Sequence, residues 1–106
     1  MEKSIQISML LEIYANLLTD KQKDVADLYY NDNLSLGEIA DELKITRQGV
    51  RKILVDAENK MYDYENKLQL MKNRQEQQEQ LTKIIEKVKD NNTKLELQNY
   101  KDRYLA

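Results

Sequence analysis

Residues 35–54, SLGEIADELKITRQGVRKIL, decide the fold of this chain. Ser35 stands where it can cap a helix, and Glu38 three residues later completes a capping box. The apolar residues of this segment recur at the spacing of one buried helical stripe, and they are Leu36, Ile39, Ala40 and Leu43. A short amphipathic helix is therefore predicted to begin directly after Ser35.

A second helix follows after a very short connection. Lys44 and Ile45 are expected to form the turn, with Ile45 as its buried plug, and Thr46 is the N-cap of the next helix. The apolar positions of that helix are Val50, Ile53, Leu54 and Ala57. Two short capped helices joined by so tight a turn predict a helix-turn-helix motif.

The polar side of the second helix is rich in hydrogen-bond donors. We call this set the basic face, and it consists of Thr46, Arg47, Gln48, Arg51 and Lys52. A recognition helix presents such donors to a nucleic-acid groove, so Thr46 and Lys52 would hold phosphates while Arg47, Gln48 and Arg51 face base edges. The structural alternative is an ordinary solubilising surface, or arginines paired with acidic residues elsewhere in the chain.

Two residues of the motif depart from what its geometry favours. If Lys44 adopts positive φ in the turn, a lysine there costs about 1 kcal/mol, and a differently built turn would avoid that cost. Gly49 costs about 0.8–1.0 kcal/mol relative to alanine inside a helix. It is expected to allow close packing on the preceding helix, with close approach to a phosphate as the alternative.

The composition predicts an all-α protein without an active site. The 106 residues include two glycines and no proline, and 34% of them are charged, which favours long helices with short connections. The absence of histidine and cysteine removes the commonest general base, metal ligand and nucleophile. We therefore expect no enzyme, cofactor, metal site or small-molecule substrate. No apolar run is long enough to cross a membrane, so a cytoplasmic protein is expected.

Positive charge is concentrated in the helix-turn-helix. Residues 1–43 hold three basic and nine acidic residues, whereas residues 44–60 hold five basic and two acidic ones. A net charge of +3 in the second segment can neutralise only a few phosphates, and binding strength scales with that number. A dimer, or a partner that already holds the nucleic acid, is therefore expected to assist binding.

Helical patterns flank the motif on both sides. Residues 4–18 and about 20–32 read as two further helices, so residues 1–60 form a predicted four-helix domain. The last helix of that domain is expected to run on into a helical extension over residues 61–106, with NRQEQQEQ as a frayed or bent stretch.

Apolar residues continue along that last helix at alternating spacings of three and four. This heptad seam predicts self-association, with a dimer favoured, and its members are Ala57, Met61, Tyr64, Leu68 and Met71. Packing of the same seam against the N-terminal helices of its own chain is the alternative.

Residues 18–60 resemble the helix-turn-helix of sigma-70 region 4, through LTDKQKDVADLYY, LSLGEIADEL and ITRQGVRKIL. Nearly the whole chain is similar to the YlxM family, in EIYANLLTDKQ, DLYYNDNLSLGEIAD, ITRQGV and MYDYENKLQLM. These are small bacterial proteins that are usually encoded beside genes of the signal recognition particle. The resemblance implies a cytoplasmic accessory or regulatory role in that pathway, with the particle's GTPase and RNA as partners. The alternative function is a transcriptional regulator that binds duplex DNA as a dimer.

Overall fold

The computed structural model describes residues 2–105, and the regular structure over that range is entirely helical. A 3₁₀ turn, Ala15–Leu17, follows the first helix, and a π-helical segment, Asp27–Asn31, continues the second. The α-helices are α1 (Lys3–Tyr14), α2 (Asp20–Ala26), α3 (Leu36–Leu43), α4 (Arg47–Leu68), α5 (Leu70–Lys87) and α6 (Asn91–Tyr104). The all-α prediction is confirmed.

The chain divides into two compact units, Met1–Gln69 and Leu70–Ala106. In the first unit, α1, α2 and α3 all pack against α4, the helix that carries the basic face. The fully buried side chains of this unit fill the space between these helices, and the largest of them are Tyr14, Ile7, Leu10, Leu11, Ile39, Met61, Val25 and Val50. Burial of one side of α4 thus fixes which side faces outward.

Side-chain caps fix where the helices of the first unit begin. Ser35 and Glu38 form the predicted capping box, because the Ser35 hydroxyl accepts from the Glu38 N–H at 3.1 Å and the Glu38 carboxylate accepts from the Ser35 N–H at 3.1 Å. Hydrogen bonding of the Glu38 carboxylate by Ser35, first of all by the Ser35 backbone N–H, lowers the pKa of Glu38. Thr19 and Gln22 form a second capping box at the start of α2. The cap expected at Thr46 is also present.

The turn of the motif is closed by a lysine in the left-handed conformation. Lys44 has φ 58° and ψ 44°. The Ile45 N–H donates to the Ala40 carbonyl at 3.1 Å, which is the 6→1 bond of a Schellman cap, and the Lys44 N–H donates to the same carbonyl, which is the 5→1 bond of an αL cap. Glycine usually fills this position. The turn is therefore not built differently, and Lys44 bears the strain of the left-handed conformation. Ile45 is half-buried rather than fully enclosed.

The predicted continuous seam is wrong beyond Leu68, because α4 ends there. Gln69 adopts φ 54°, and its N–H donates to the Glu65 carbonyl at 2.9 Å, so a left-handed cap closes the helix before α5 begins at Leu70. Leu68 is exposed, and Met71 belongs to the next helix. No glycine or proline marks this break. The Gln/Glu-rich stretch expected to fray or bend lies inside the regular helix α5.

The first three seam positions have neighbours within the first unit. Ala57 and Met61 are fully buried, and the Tyr64 ring stacks on Tyr14 with centroids 5.8 Å apart. The Tyr64 hydroxyl also donates to the Leu17 carbonyl at 3.3 Å. Tyr64 therefore packs against the N-terminal segments of its own chain, which is the stated alternative to self-association at this position.

The second unit is a pair of helices joined by residues 88–90. Asp90 caps α6, because its carboxylate accepts from the Thr93 N–H at 2.9 Å and from the Thr93 hydroxyl, and these bonds lower the Asp90 pKa. Helices α5 and α6 pack on each other. We refer to this unit as the α5–α6 hairpin.

Candidate nucleic-acid interface

The basic face begins at the N-cap of α4. The Thr46 hydroxyl oxygen accepts from the Gly49 N–H at 3.0 Å, which leaves the hydroxyl hydrogen able to donate outward. A Cβ atom at Gly49 would lie 3.1 Å from this oxygen and 4.0 Å from the Ile45 side chain. Gly49 is therefore crowded by the cap of its own helix, and the expected close packing on α3 is not the cause.

The structure brings the predicted residues together on the exposed side of α4. At 100° per residue, Arg47, Arg51, Gln48 and Lys52 span an arc of about 140° over the first two turns of the helix. All four are exposed, as is Thr46. Among residues 2–105, Arg47, Gln48 and Arg51 form no side-chain hydrogen bond or ion pair, so the proposed pairing of the arginines with acidic residues is absent there.

Lys52 differs from the other members because it has a partner. Its ammonium group lies 2.9 Å from the carboxylate of Asp56, one turn further along α4. Both side chains are largely exposed, so the pair contributes little to stability and a phosphate can compete for the lysine. Together with Gln48, Arg51 and Val55, this pair lines an open concavity in the surface.

Val55 and Asp56 border the basic face but were not among its predicted members. The i, i+4 spacing from Arg51 to Val55 and from Lys52 to Asp56 would have identified both as neighbours. Val55 supplies an apolar contact in the middle of the arc, whereas Asp56 lowers the positive potential at its edge. The preceding helix α3 exposes Glu38, Asp41 and Glu42, so the exposed positive charge of the motif begins at Lys44 and lies mainly on α4.

A buried polar cluster holds the other side of α4 in place. Glu58 is 9% exposed, accepts a hydrogen bond from the Tyr30 hydroxyl and lies 3.6 Å from the Lys3 ammonium group. Burial and the Glu58 carboxylate raise the pKa of Tyr30. About two turns of helix further on, the Tyr14 hydroxyl donates to Glu65 at 2.7 Å. These contacts join α1 and the π-helical segment to α4, which orients the basic face.

Neither a metal site nor a membrane span is found in the part of the chain that the structure describes. No three acidic residues are grouped so that they could hold a metal ion within residues 2–105. Over the same residues, no helix combines the length and apolar character that crossing a membrane requires.

Comparison with known proteins places the whole motif in a family. The sequence model of the family described as "helix-turn-helix protein, YlxM / p13 like" matches residues 1–102. The chain belongs to the YlxM / p13-like family. The UPF0122 protein YlxM of Bacillus subtilis (strain 168) is 42% identical over 86 residues, which cover 81% of this chain and 78% of that protein.

Relatives in clostridia extend the match. A UPF0122 protein of Clostridium kluyveri (strain ATCC 8527 / DSM 555 / NBRC 12016 / NCIMB 10680 / K1) is 44% identical over 86 residues, covering 81% of this chain and 78% of the relative. The UPF0122 protein NT01CX_2214 of Clostridium novyi (strain NT) is 39% identical over 104 residues, covering 98% and 87%. The YlxM resemblance drawn from the sequence is confirmed. The family is one of helix-turn-helix proteins, which is not an enzyme class.

Proposed function

We propose that this chain is a non-catalytic accessory protein of the signal recognition particle pathway, and that its basic face contacts nucleic acid. The particle's RNA and GTPase are the proposed partners, and the cytoplasm is the proposed location. The observation that carries the nucleic-acid contact is the exposed arc of Arg47, Gln48 and Arg51, which are without partners among the described residues. The pathway is supported by the YlxM resemblance.

The geometry of α4 suits contact with a phosphate backbone and with base edges. The first N–H groups and the dipole of a 22-residue helix favour an anion at its start, where Thr46 can donate its hydroxyl hydrogen. Lys52 can exchange Asp56 for a phosphate. Arg47 and Arg51 can each form paired hydrogen bonds with a guanine edge or stack on an unpaired base, and Gln48 can pair with an adenine edge.

The limited positive charge favours a ribonucleoprotein over free nucleic acid. With about three phosphates neutralised, a single copy binds weakly at physiological salt. A protein that already holds an RNA loop would add its own contact surface, so that the two weak interactions act together. Sequence-specific RNA contacts are made in single-stranded loops, because the major groove of an RNA duplex is too narrow for side chains.

The second candidate function is regulation of transcription through duplex DNA. It is favoured by the exposure of the first two turns of α4, the part of a helix-turn-helix that enters a major groove. A dimer with two half-sites would supply the affinity that one copy lacks. This function predicts a reproducible DNA consensus in a selection experiment, and the accessory role predicts none.

Fluorescence anisotropy with a salt titration separates the two functions. The purified chain is titrated into labelled signal recognition particle RNA, with and without the particle's GTPase, and into labelled random duplex DNA. Submicromolar binding to the particle components, with weak and steeply salt-dependent duplex binding, is the expected result. Tight duplex binding with no response to the RNA or the GTPase would overturn the accessory role and support the regulator.

A further inference from the structure

We propose that the α5–α6 hairpin is a self-association surface, on which the same hairpin of a second copy packs to form a four-helix bundle. This surface lies in the second unit and shares no residue with the basic face. Its assembly does not depend on nucleic-acid binding. It also differs from the seam predicted from sequence, four of whose five members lie on α4.

Helix α5 carries two adjacent stripes at heptad spacing. One stripe is buried or half-buried within the chain, and its members are Met71, Gln75, Gln78, Thr82 and Ile85. The other begins at Arg74 and continues through Gln77, Leu81 and Ile84, with spacings of three, four and three residues. Within this outer stripe, Arg74 and Leu81 are half-buried, whereas Gln77 is exposed and Ile84 is 51% exposed. A single neighbouring helix can fully cover only one such stripe, so the exposed part of the outer one is available to a further helix.

The apolar surface buried within the hairpin is too small to stabilise its two helices. Met71 and Ile85 are the only buried side chains in residues 70–105, and none belongs to α6. Leu95, Tyr100 and Tyr104 on α6 are 55–61% exposed. Helices of 14 and 18 residues are marginal in water without packing partners. Additional coverage of these apolar side chains would stabilise both helices.

Charge favours a second copy as the occupant. Residues 70–106 contain eight basic and six acidic residues, which are interspersed along the sequence, so two hairpins can meet without strong repulsion. Residues 1–69 contain nine basic and thirteen acidic residues, which makes the first unit a poorer surface for self-association. Interspersed charges of both signs are typical of helices that pair with helices, whereas a nucleic-acid surface has one sign in excess.

The available area is sufficient for a weak, specific dimer. Helix α5 has 18 residues and is about 27 Å long. With helices about 10 Å apart, the face of a two-helix hairpin covers about 500 Å². Pairing two such faces buries about 1,000 Å², the lower limit for a specific interface. Arg74 and Gln77 within the stripe reduce affinity but favour one register.

Light scattering after size exclusion, with sedimentation equilibrium, tests this surface on the full chain. Ile84→Glu and Lys83→Glu place the same carboxylate at neighbouring exposed positions of α5, and only Ile84 lies in the outer stripe. The wild-type chain is expected to form a reversible dimer. Ile84→Glu should raise its dissociation constant about tenfold or more, because each dimer loses two apolar contacts. Lys83→Glu should dimerise like the wild type.

A gain of affinity distinguishes the interface from a defect in folding. Gln77→Leu replaces a polar member of the stripe with the residue that such a seam favours, and should lower the dissociation constant. Circular dichroism of each variant checks that helix content is unchanged. A wild-type chain that stays monomeric at all concentrations, or a dimer that Ile84→Glu leaves intact, would overturn the proposal. So would an unchanged dissociation constant for Gln77→Leu.

Discussion

Replacing Lys44 with glycine should stabilise the chain, although it removes a side chain. Lys44 adopts φ 58°, and a residue with a Cβ atom pays about 1–2 kcal/mol for that conformation. Glycine avoids this cost but loses about 0.5–1 kcal/mol more conformational entropy on folding. The hydrogen bonds from the Lys44 and Ile45 N–H groups to the Ala40 carbonyl use only the backbone and are retained. The expected net gain is about 0.5–1 kcal/mol, which corresponds to about 2–8 °C in Tm for a unit of this size.

Urea denaturation followed by far-UV circular dichroism measures this gain. The Lys44→Gly midpoint should rise without a change in the denaturant dependence of the free energy of unfolding. Lys44→Ala is the matched control, since it removes the same charge and keeps the Cβ atom, and it should give no such gain. Equal stability of the two variants would refute the reasoning, because it would place no backbone strain at Lys44.

Two further predictions concern hydrogen bonds in the first unit. Tyr30→Phe should lower the free energy of unfolding by about 1–3 kcal/mol, because buried Glu58 loses its hydroxyl donor, while Tyr29→Phe should change it little. The raised pKa of Tyr30 means that the folded state holds this proton more tightly than the unfolded state. The stability it contributes is present below the ordinary tyrosine pKa of about 10 and is lost as pH rises above it. The wild-type chain should therefore lose more stability above that pH than Tyr30→Phe does. An equal loss in the two chains would contradict this assignment. Ser35→Ala should cost about 1 kcal/mol through loss of the α3 cap, and a urea midpoint equal to that of the wild type would show that the cap does not stabilise the fold.

Local sequence signals predicted the helix-turn-helix well. The capping box of Ser35 and Glu38, the apolar stripe of α3 and the Thr46 cap are each encoded within a few residues, and each is present. The same holds for the basic face, because residues at positions 47, 48, 51 and 52 must share one side of any regular helix. Their exposure followed once the apolar positions on the other side of α4 were assigned to the core.

The sequence did not reveal the end of α4 or the buried cluster at Glu58. Gln69 closes the helix in the left-handed conformation, which glycine usually adopts. Because no glycine stands there, the heptad spacing gave no sign that the helix ends. The cluster joins Lys3, Tyr30 and Glu58, which are far apart in sequence and are brought together only by the packing of α1 and the π-helical segment on α4. Periodicity within one helix contains no information about such contacts.

The most direct test of the central claim compares two double variants in the anisotropy assay. Arg47→Ala with Arg51→Ala removes two positive charges from the basic face, and Lys21→Ala with Lys67→Ala removes two exposed charges outside it. Paired hydrogen bonds from both arginines are worth at least about 2 kcal/mol, so the first variant should weaken binding to the best nucleic-acid ligand at least about thirtyfold. Its Tm should stay at the wild-type value, because neither arginine has a partner among the described residues. The second variant should bind nearly as the wild type does. Unchanged binding by the arginine variant, or an equal loss in both, would contradict a nucleic-acid contact at the basic face.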